Sequence, residues 1–224
     1  MQQRTTPEDV QDDALLKLLL TAWDFIENNY PKILAGLGGV AVVVLIAVFI
    51  NRQQGQNAIE AQIRLGEAHI ALLQANFPEA IFKSEQVVAE YGDSPASRQA
   101  LLLAANLKFE SKNYSAAQVD FQKYLDDFGS DGPPGYSAWA GVAFCLEAQG
   151  DLGGAGNKFA AYADAYSHAP FAPIALKEAA RCLKAAGNLG QAQATYQKIV
   201  DEYKKSDVAR VARSELKQMG VNVN

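Results

Sequence analysis

Apolar and small residues recur along this chain in blocks of about 37 positions. The clearest block is Gly187–Tyr203, GNLGQAQATYQKIVDEY, and its near-copy lies at Gly150–Tyr166, GDLGGAGNKFAAYADAY. Both read Gly, Asn or Asp, Leu, Gly, a free position and Ala, then an aromatic (Phe159, Tyr196), an apolar residue, Asp and Tyr. Fainter copies occupy Asn113–Phe128 and Asn76–Tyr91. The shared small residue falls at Ala80, Ala117, Ala155 and Ala192, with spacings of 37, 38 and 37. The closing aromatics Tyr91, Phe128, Tyr166 and Tyr203 keep the same three spacings. Two independent markers on one period identify a repeat array.

Each block has a first half. Trp139, Val142, Ala143 and Leu146 precede the third small residue. Leu176, Ala179, Ala180 and Leu183 precede the fourth, and Leu101, Ala104, Ala105 and Lys108 the second. Offsets of 3, 4 and 7 mark one face of a helix. A Gly/Asn turn then leads into a second amphipathic helix, so each repeat is a helical hairpin. Small residues sit where the helices approach closely, and aromatics fill the ends.

At these residues the chain resembles the tetratricopeptide family, whose pattern runs W–LG–Y–A–F–A–P over 34 residues. Trp139, Ala143, Ala155 and Phe159 match it in the third repeat. The chain departs from it in a period about 3 residues longer and in a closing proline shifted to match. That proline appears as Pro95, Pro133 and Pro170. The alternative is a plain bundle of helical hairpins.

The expected fold is all-α: one transmembrane helix, a solenoid of about four hairpins, and a capping helix. The expected divisions are an amphipathic segment (1–31), an anchor (32–52) and the repeats (53–224). Thr6-Pro7-Glu8-Asp9 reads as a helix start, with Thr6 as N-cap. Leu15, Leu18, Leu19, Ala22 and Ile26 follow on one face. With Trp23, Phe25 and Tyr30, they suit either a membrane interface or a protein partner. A second helix start is expected at Tyr30-Pro31. Ile33–Ile50 then runs 18 residues without a charge, close to the ~30 Å hydrocarbon thickness when helical. Its leader is long and acidic, unlike that of a cleaved signal peptide. Ala35 and Gly39 form one small-xxx-small pair. Lys17 and Lys32 before the span balance Arg52 and Arg64 after it, so charge leaves orientation open.

Beyond a polar stretch at Gln53–Asn57, the stripe Ile59, Ile63, Gly66, Ile70, Leu73 and Phe77 is expected to face the core of repeat one. Gly129–Gly135, GSDGPPG, is expected to exclude helix and to act as a hinge between repeats 1–2 and 3–4. Ser206-Asp207 starts a last helix to about Met219, carrying Lys205, Arg210, Arg213 and Lys217 as the polar cap that solenoids need.

Composition narrows the chemistry. The net charge of −5 divides into −3 over residues 1–32 and −2 over the rest; without a basic stripe, nucleic acid is not an expected partner. Cys145 and Cys182 occupy equivalent places in adjacent repeats, roughly ~8–10 Å apart by helix packing, and read as core residues rather than a disulfide. His69 and His168 lie far apart, on a helix surface and in a loop. Gly150, Gly153 and Gly154 follow no strand, so they do not read as a phosphate cradle. No enzyme, metal or cofactor is expected.

The tetratricopeptide resemblance implies a concave surface lined by first helices. Carried onto this chain, it comprises Leu65, His69 and Leu72; Gln99, Leu102, Asn106 and Phe109; Ser137, Ala140, Phe144 and Glu147; and Ile174, Lys177, Arg181 and Lys184. Such a groove is apolar over three repeats and basic at its far end. Leu102, Phe109 and Phe144 suit apolar side chains of an extended client, and the basic trio suits a carboxylate. Of the carboxylate-clamp residues known in that family, only Asn106 matches. The alternative is that these side chains fill the interior.

The layout of acidic leader, FIENNYPKILAG, anchor and repeats also resembles the ancillary Sec-translocon subunits (YfgM-like tetratricopeptide proteins). That resemblance implies a bacterial inner-membrane protein with a cytoplasmic N-terminus and periplasmic repeats. It implies a chaperone-like role beside translocon subunits and a membrane-anchored prolyl isomerase, holding unfolded client proteins. The alternatives are a structural scaffold of a stable envelope complex and a cytoplasm-facing adaptor.

Overall fold

The structure, a computed structural model, describes residues 7–92 and 94–221. Among these, nine α-helices and no strand occur. They are α1 Pro7–Leu73, α2 Phe77–Tyr91, α3 Pro95–Glu110, α4 Tyr114–Phe128, α5 Gly132–Ala148, α6 Leu152–Ala165, α7 Ala172–Ala185, α8 Leu189–Glu202 and α9 Asp207–Gln218. The chain divides into two units, one up to Gln56 and one from Asn57 onward.

In the first unit the expected second helix start at Tyr30-Pro31 is absent, because Pro31 lies inside α1. The absent N–H of proline removes one intrahelical bond, yet the helix continues through it. The proposed Thr6 cap lies outside the described residues. From Leu34 onward, α1 contains a stretch long and apolar enough to cross a membrane, with none of its most apolar window buried.

The second unit is a run of hairpins: the end of α1 with α2, α3 with α4, α5 with α6, and α7 with α8, closed by α9. From α2 to α9 consecutive helices pack on one another, and Ala61 and Leu65 of α1 share an apolar cluster with Val87 of α2. Ala80, Ala117, Ala155 and Ala192 are fully buried. A methyl group at the crossing lets two helix backbones approach to the short end of the ~8–10 Å range. Phe159 and Tyr196, one turn further on, are buried too. Trp139 is half-buried, and its indole Nε1 donates to the Lys158 carbonyl at 2.8 Å while Lys158 Nζ lies 4.5 Å above the ring.

The turn inside each hairpin is built the same way four times. Residues 75, 112, 150 and 187 take positive φ, and the residue after each caps the next helix. The amide of that next residue bonds back across the turn: Asn76 to Ala71, Asn113 to Lys108, Asp151 to Leu146 and Asn188 to Leu183, at 2.8–3.0 Å. This is the Schellman closure, which satisfies carbonyls left over at a helix end. Asn76, Asn113 and Asp151 also accept an amide three residues on at 3.3, 3.4 and 2.8 Å. Glycine occupies the left-handed position in the last two turns, whereas Ala75 and Lys112 hold it in the first two.

Two expectations fail in this unit. In repeat one, Ile59, Ile63, Ile70 and Leu73 are 66, 61, 55 and 86% exposed, and Phe77 is 37% exposed. The buried face of α1 is instead Ala61, Leu65, Ala68 and Ala71. The smaller stripe packs with Ala80 and Val87 of α2, while the bulkier one faces out. The hinge fails as well, because α5 begins at Gly132 and takes Pro133 and Pro134 into its first turn, where a missing N–H costs nothing. A Cβ at Gly135 would lie 2.2 Å from the Ser130 carbonyl carbon, so this corner is packed shut. One apolar cluster (Leu101, Ala117, Phe121, Val142 and Cys145 among its members) then runs across α3, α4 and α5. A continuous core joins repeats 2 and 3.

Pro170 stands outside a helix, and Pro173 takes the first turn of α7. Helix α9 starts at Ser206, whose Oγ accepts the Ala209 amide at 3.2 Å, and buries Ala209, Ala212 and Leu216 against the last hairpin. Arg210 and Lys217 stay exposed, as the end of an array requires.

An L-residue in the left-handed region costs roughly 1–2 kcal/mol. Lys112→Gly is therefore expected to stabilise the chain by up to about 1 kcal/mol after the entropic cost of glycine, and Gly187→Ala to destabilise it by about 1 kcal/mol. Thermal unfolding of the two variants, followed by circular dichroism, checks the opposite signs.

Candidate functional site

The first helices of repeats 2 and 3 enclose a surface pocket of about 360 Å³. Helix α3 contributes Asn106, Phe109 and Glu110; α5 contributes Tyr136, Ser137, Ala140, Gly141 and Phe144; and Phe121 of α4 forms the floor. Gly141 lets the Phe121 ring lie directly against α5, since a Cβ there would lie 2.6 Å from that ring. The walls are held by edge-on aromatic pairs, Phe109 with Tyr114 at 5.2 Å and Phe144 with Phe159 at 5.1 Å. Tyr136 stacks on Phe171 at 4.5 Å and 4°, which ties the wall to the start of repeat four. Burial pushes the Tyr136 phenol up to about 12, so it stays neutral. Asn106, Ser137 and Glu110 supply the polar rim, the Asn106 amide donating one turn back to the Leu102 carbonyl at 2.7 Å. An apolar floor with a few polar groups at the mouth is the composition of a site for apolar side chains.

Asn106, Phe109 and Phe144 thus come together, along with Ser137 and Ala140. Other expected groove positions go elsewhere. Leu65 is fully buried against Val87, Ala96 and Ala100, so it cannot line an open surface. Leu72 and Leu102 are half-buried against core clusters. The sequence reading missed Phe121, Tyr136 and Gly141. The signal for Gly141 was a glycine in a helix interior, where it costs about 1 kcal/mol relative to alanine and so implies a close approach.

The far end is not an open basic patch. Lys177 Nζ pairs with Glu178 at 2.9 Å, and Lys184 Nζ with Glu215 of α9 at 2.9 Å. Arg181 grips Glu147 of α5 with both terminal nitrogens at 2.6 and 2.7 Å, while its Nε bonds Glu178 at 2.7 Å. The fork geometry of arginine matches a carboxylate bidentately, so the pair also ties repeat 3 to repeat 4. The hydrogen bonds from Arg181 hold the Glu147 carboxyl below its ordinary value of 4.5. A similar inward cation explains Lys108 on an otherwise apolar face: its Nζ bridges Glu85 at 2.7 Å and Asp120 at 2.5 Å.

Cys145 and Cys182 are free and fully buried, and burial pushes both thiols up to about 11. Among the described residues no group of three or more His, Cys, Asp or Glu side chains is placed to hold a metal ion.

This arrangement defines a tetratricopeptide-like helical repeat fold, a class that generally serves as a protein-interaction module. Residues 176–206 match the sequence profile of the tetratricopeptide repeat family. A solved tetratricopeptide repeat protein from Parabacteroides merdae shares the fold with a TM-score of 0.55 at 15% identity, over 73% of this chain. The match spans 60% of that protein's length. The tetratricopeptide-like repeats of a putative kinesin light chain from Podospora anserina give a TM-score of 0.53 at 17% identity, over 72% of this chain and 85% of theirs. No curated protein matches the sequence.

A group whose folded pKa is depressed contributes stability above its unfolded value and loses it as the pH falls. For Glu147 the loss therefore begins below about pH 4.5. Glu147→Gln is expected to cost about 1 kcal/mol at pH 7, discounted for the partial exposure of Arg181, and to flatten the decline in melting temperature below pH 4.5. Parallel melting curves of both chains from pH 3 to 7, a window bracketing the ordinary carboxylate range, check this.

Proposed function

We propose that this chain is a membrane-anchored protein-binding module that holds extended apolar segments of other proteins at the pocket between α3 and α5. The observation that carries the reading is the pocket itself: two phenylalanines at the walls and a third at the floor, packed against Gly141. The pairing of Lys177, Arg181 and Lys184 with acids argues for apolar recognition over capture of a free carboxylate.

In the fuller form of the proposal, residues 1–31 lie at the membrane surface, 32–52 anchor the chain with 33–50 in the bilayer, and 53–224 form the binding array. The layout resembles that of ancillary Sec-translocon subunits, and on that resemblance we place the protein in a bacterial inner membrane. Its N-terminus is then cytoplasmic and its repeats periplasmic, beside translocon subunits and a membrane-anchored prolyl isomerase. Its clients are unfolded envelope proteins leaving the membrane, and binding is non-covalent.

Photoreactive residues at Phe109 and Phe144, activated in intact membranes, test this. The expected result is a ladder of many products that disappears when protein synthesis is stopped. One discrete product that persists would replace the holding role with a scaffold in a stable complex. No product from either position would overturn the pocket as a binding site.

A further inference from the structure

We propose that the pocket between α3 and α5 selects extended segments in which an apolar side chain stands beside a lysine or arginine, with Glu110 taking the cation. This rests on the binding role proposed above and adds the chemistry of what binds. Glu110 is the one charged residue among those lining the pocket. The others are the rings of Phe109, Phe121, Tyr136 and Phe144, the small residues Ala140 and Gly141, and the neutral Asn106 and Ser137. A single acid at the rim of an otherwise neutral cavity gives the mouth one sign of charge, and low-dielectric walls focus the field it makes.

The place of Glu110 in its helix adds an independent point. It is the last residue of α3, at the end of the helix that carries partial negative charge and favours a cation over an acid. The carboxylate and the helix end therefore add to one negative potential. The basic side chains nearby are engaged elsewhere. Lys108, on the same turn, reaches inward to Glu85 at 2.7 Å and to Asp120. On α7, Lys177 holds Glu178, and Arg181 holds Glu147 and Glu178. Lys112 lies in the turn that follows and takes no part in the lining. Among the described residues Glu110 enters no ion pair, and its exposed side chain stands at the mouth unneutralised.

The walls suit the same ligand. A volume of about 360 Å³ lies near the lower end of the ~300–1,000 Å³ range of ligand pockets, which limits the site to a side chain or two. Phe121 at the floor is buried, so apolar contact is deep and charge contact is at the rim. A lysine or arginine lays its methylene stem along apolar surface while its head stays in water, and the faces of aromatic rings attract such a head. The same carboxylate repels an acidic segment. That supplies a discrimination that apolar contact alone lacks.

The test uses the purified full chain in detergent and short fluorescent peptides with a central phenylalanine in a glycine-serine background. Lysine, glutamine or glutamate stands two places away on both sides, so the result does not depend on chain direction. Fluorescence anisotropy at low salt should show the lysine peptide binding roughly 3–5-fold more tightly than the glutamine peptide, the size of an exposed charge pair. The glutamate peptide should bind weakest, and the order should fade at about 1 M salt. In Glu110→Gln the three peptides should bind alike, with helix content unchanged. Glu202→Gln makes the same change in net charge at an exposed site on α8 and should keep the wild-type order. A preference that persists in Glu110→Gln, or phenylalanine peptides that bind alike to the wild-type chain, overturns this inference and leaves the apolar binding role standing. Peptides that bind no better with phenylalanine at the centre than with glycine overturn that role, and this inference with it.

Discussion

The array depends on how closely two helices can come together at four alanines. Ala80, Ala117, Ala155 and Ala192 are fully buried, one in the second helix of each hairpin. Interiors are packed to crystal-like density, so one extra methylene at such a place is felt. The aromatic residues are consequences of it. Phe159 and Tyr196 fill the wedge beyond the crossing, and Tyr136, Trp139, Tyr162, Tyr166 and Phe171 form a chain of ring contacts that runs from repeat three into the start of repeat four. The Schellman turns, repeated at the same period, then return each chain segment in the correct register.

The period and the hairpins were legible because they rest on small residues and turn chemistry, and these read the same in every repeat. The face of repeat one was not. There a stripe of isoleucines competed with a stripe of alanines, and bulk suggested the wrong one; closeness of approach decides the face, and hydrophobicity alone does not record it. The same limit explains Leu65, which looks like a groove residue by position and is core by packing. GSDGPPG read as a break because prolines end helices, yet two prolines in a first turn begin one. Arg181 and Lys184 looked free because Glu147 and Glu215 come from other helices that only the fold brings near, whereas Lys177 pairs with its neighbour Glu178.

The pocket lies where the buried Phe121 ring packs directly against Gly141. Its walls belong to adjacent repeats that share one apolar cluster, so the pocket is preformed. On the proposed role, binding there would not have to order it, apolar surface would be the main attraction, and many sequences would be tolerated, because apolar contacts discriminate weakly between side chains of similar size.

The central claim is that the close crossing at the small residues holds the array together. Comparing Ala192→Leu with Ala194→Leu tests it most directly, since both lie on α8 and leucine is nearly as good a helix former as alanine. Ala192 is fully buried and Ala194 exposed. The account predicts that chemical unfolding of the full chain shows Ala192→Leu destabilised by about 1–3 kcal/mol, the cost of overpacking a core, with Ala194→Leu unchanged. Equal stability of the two variants would contradict it, because the crossing would then have room that this packing does not allow.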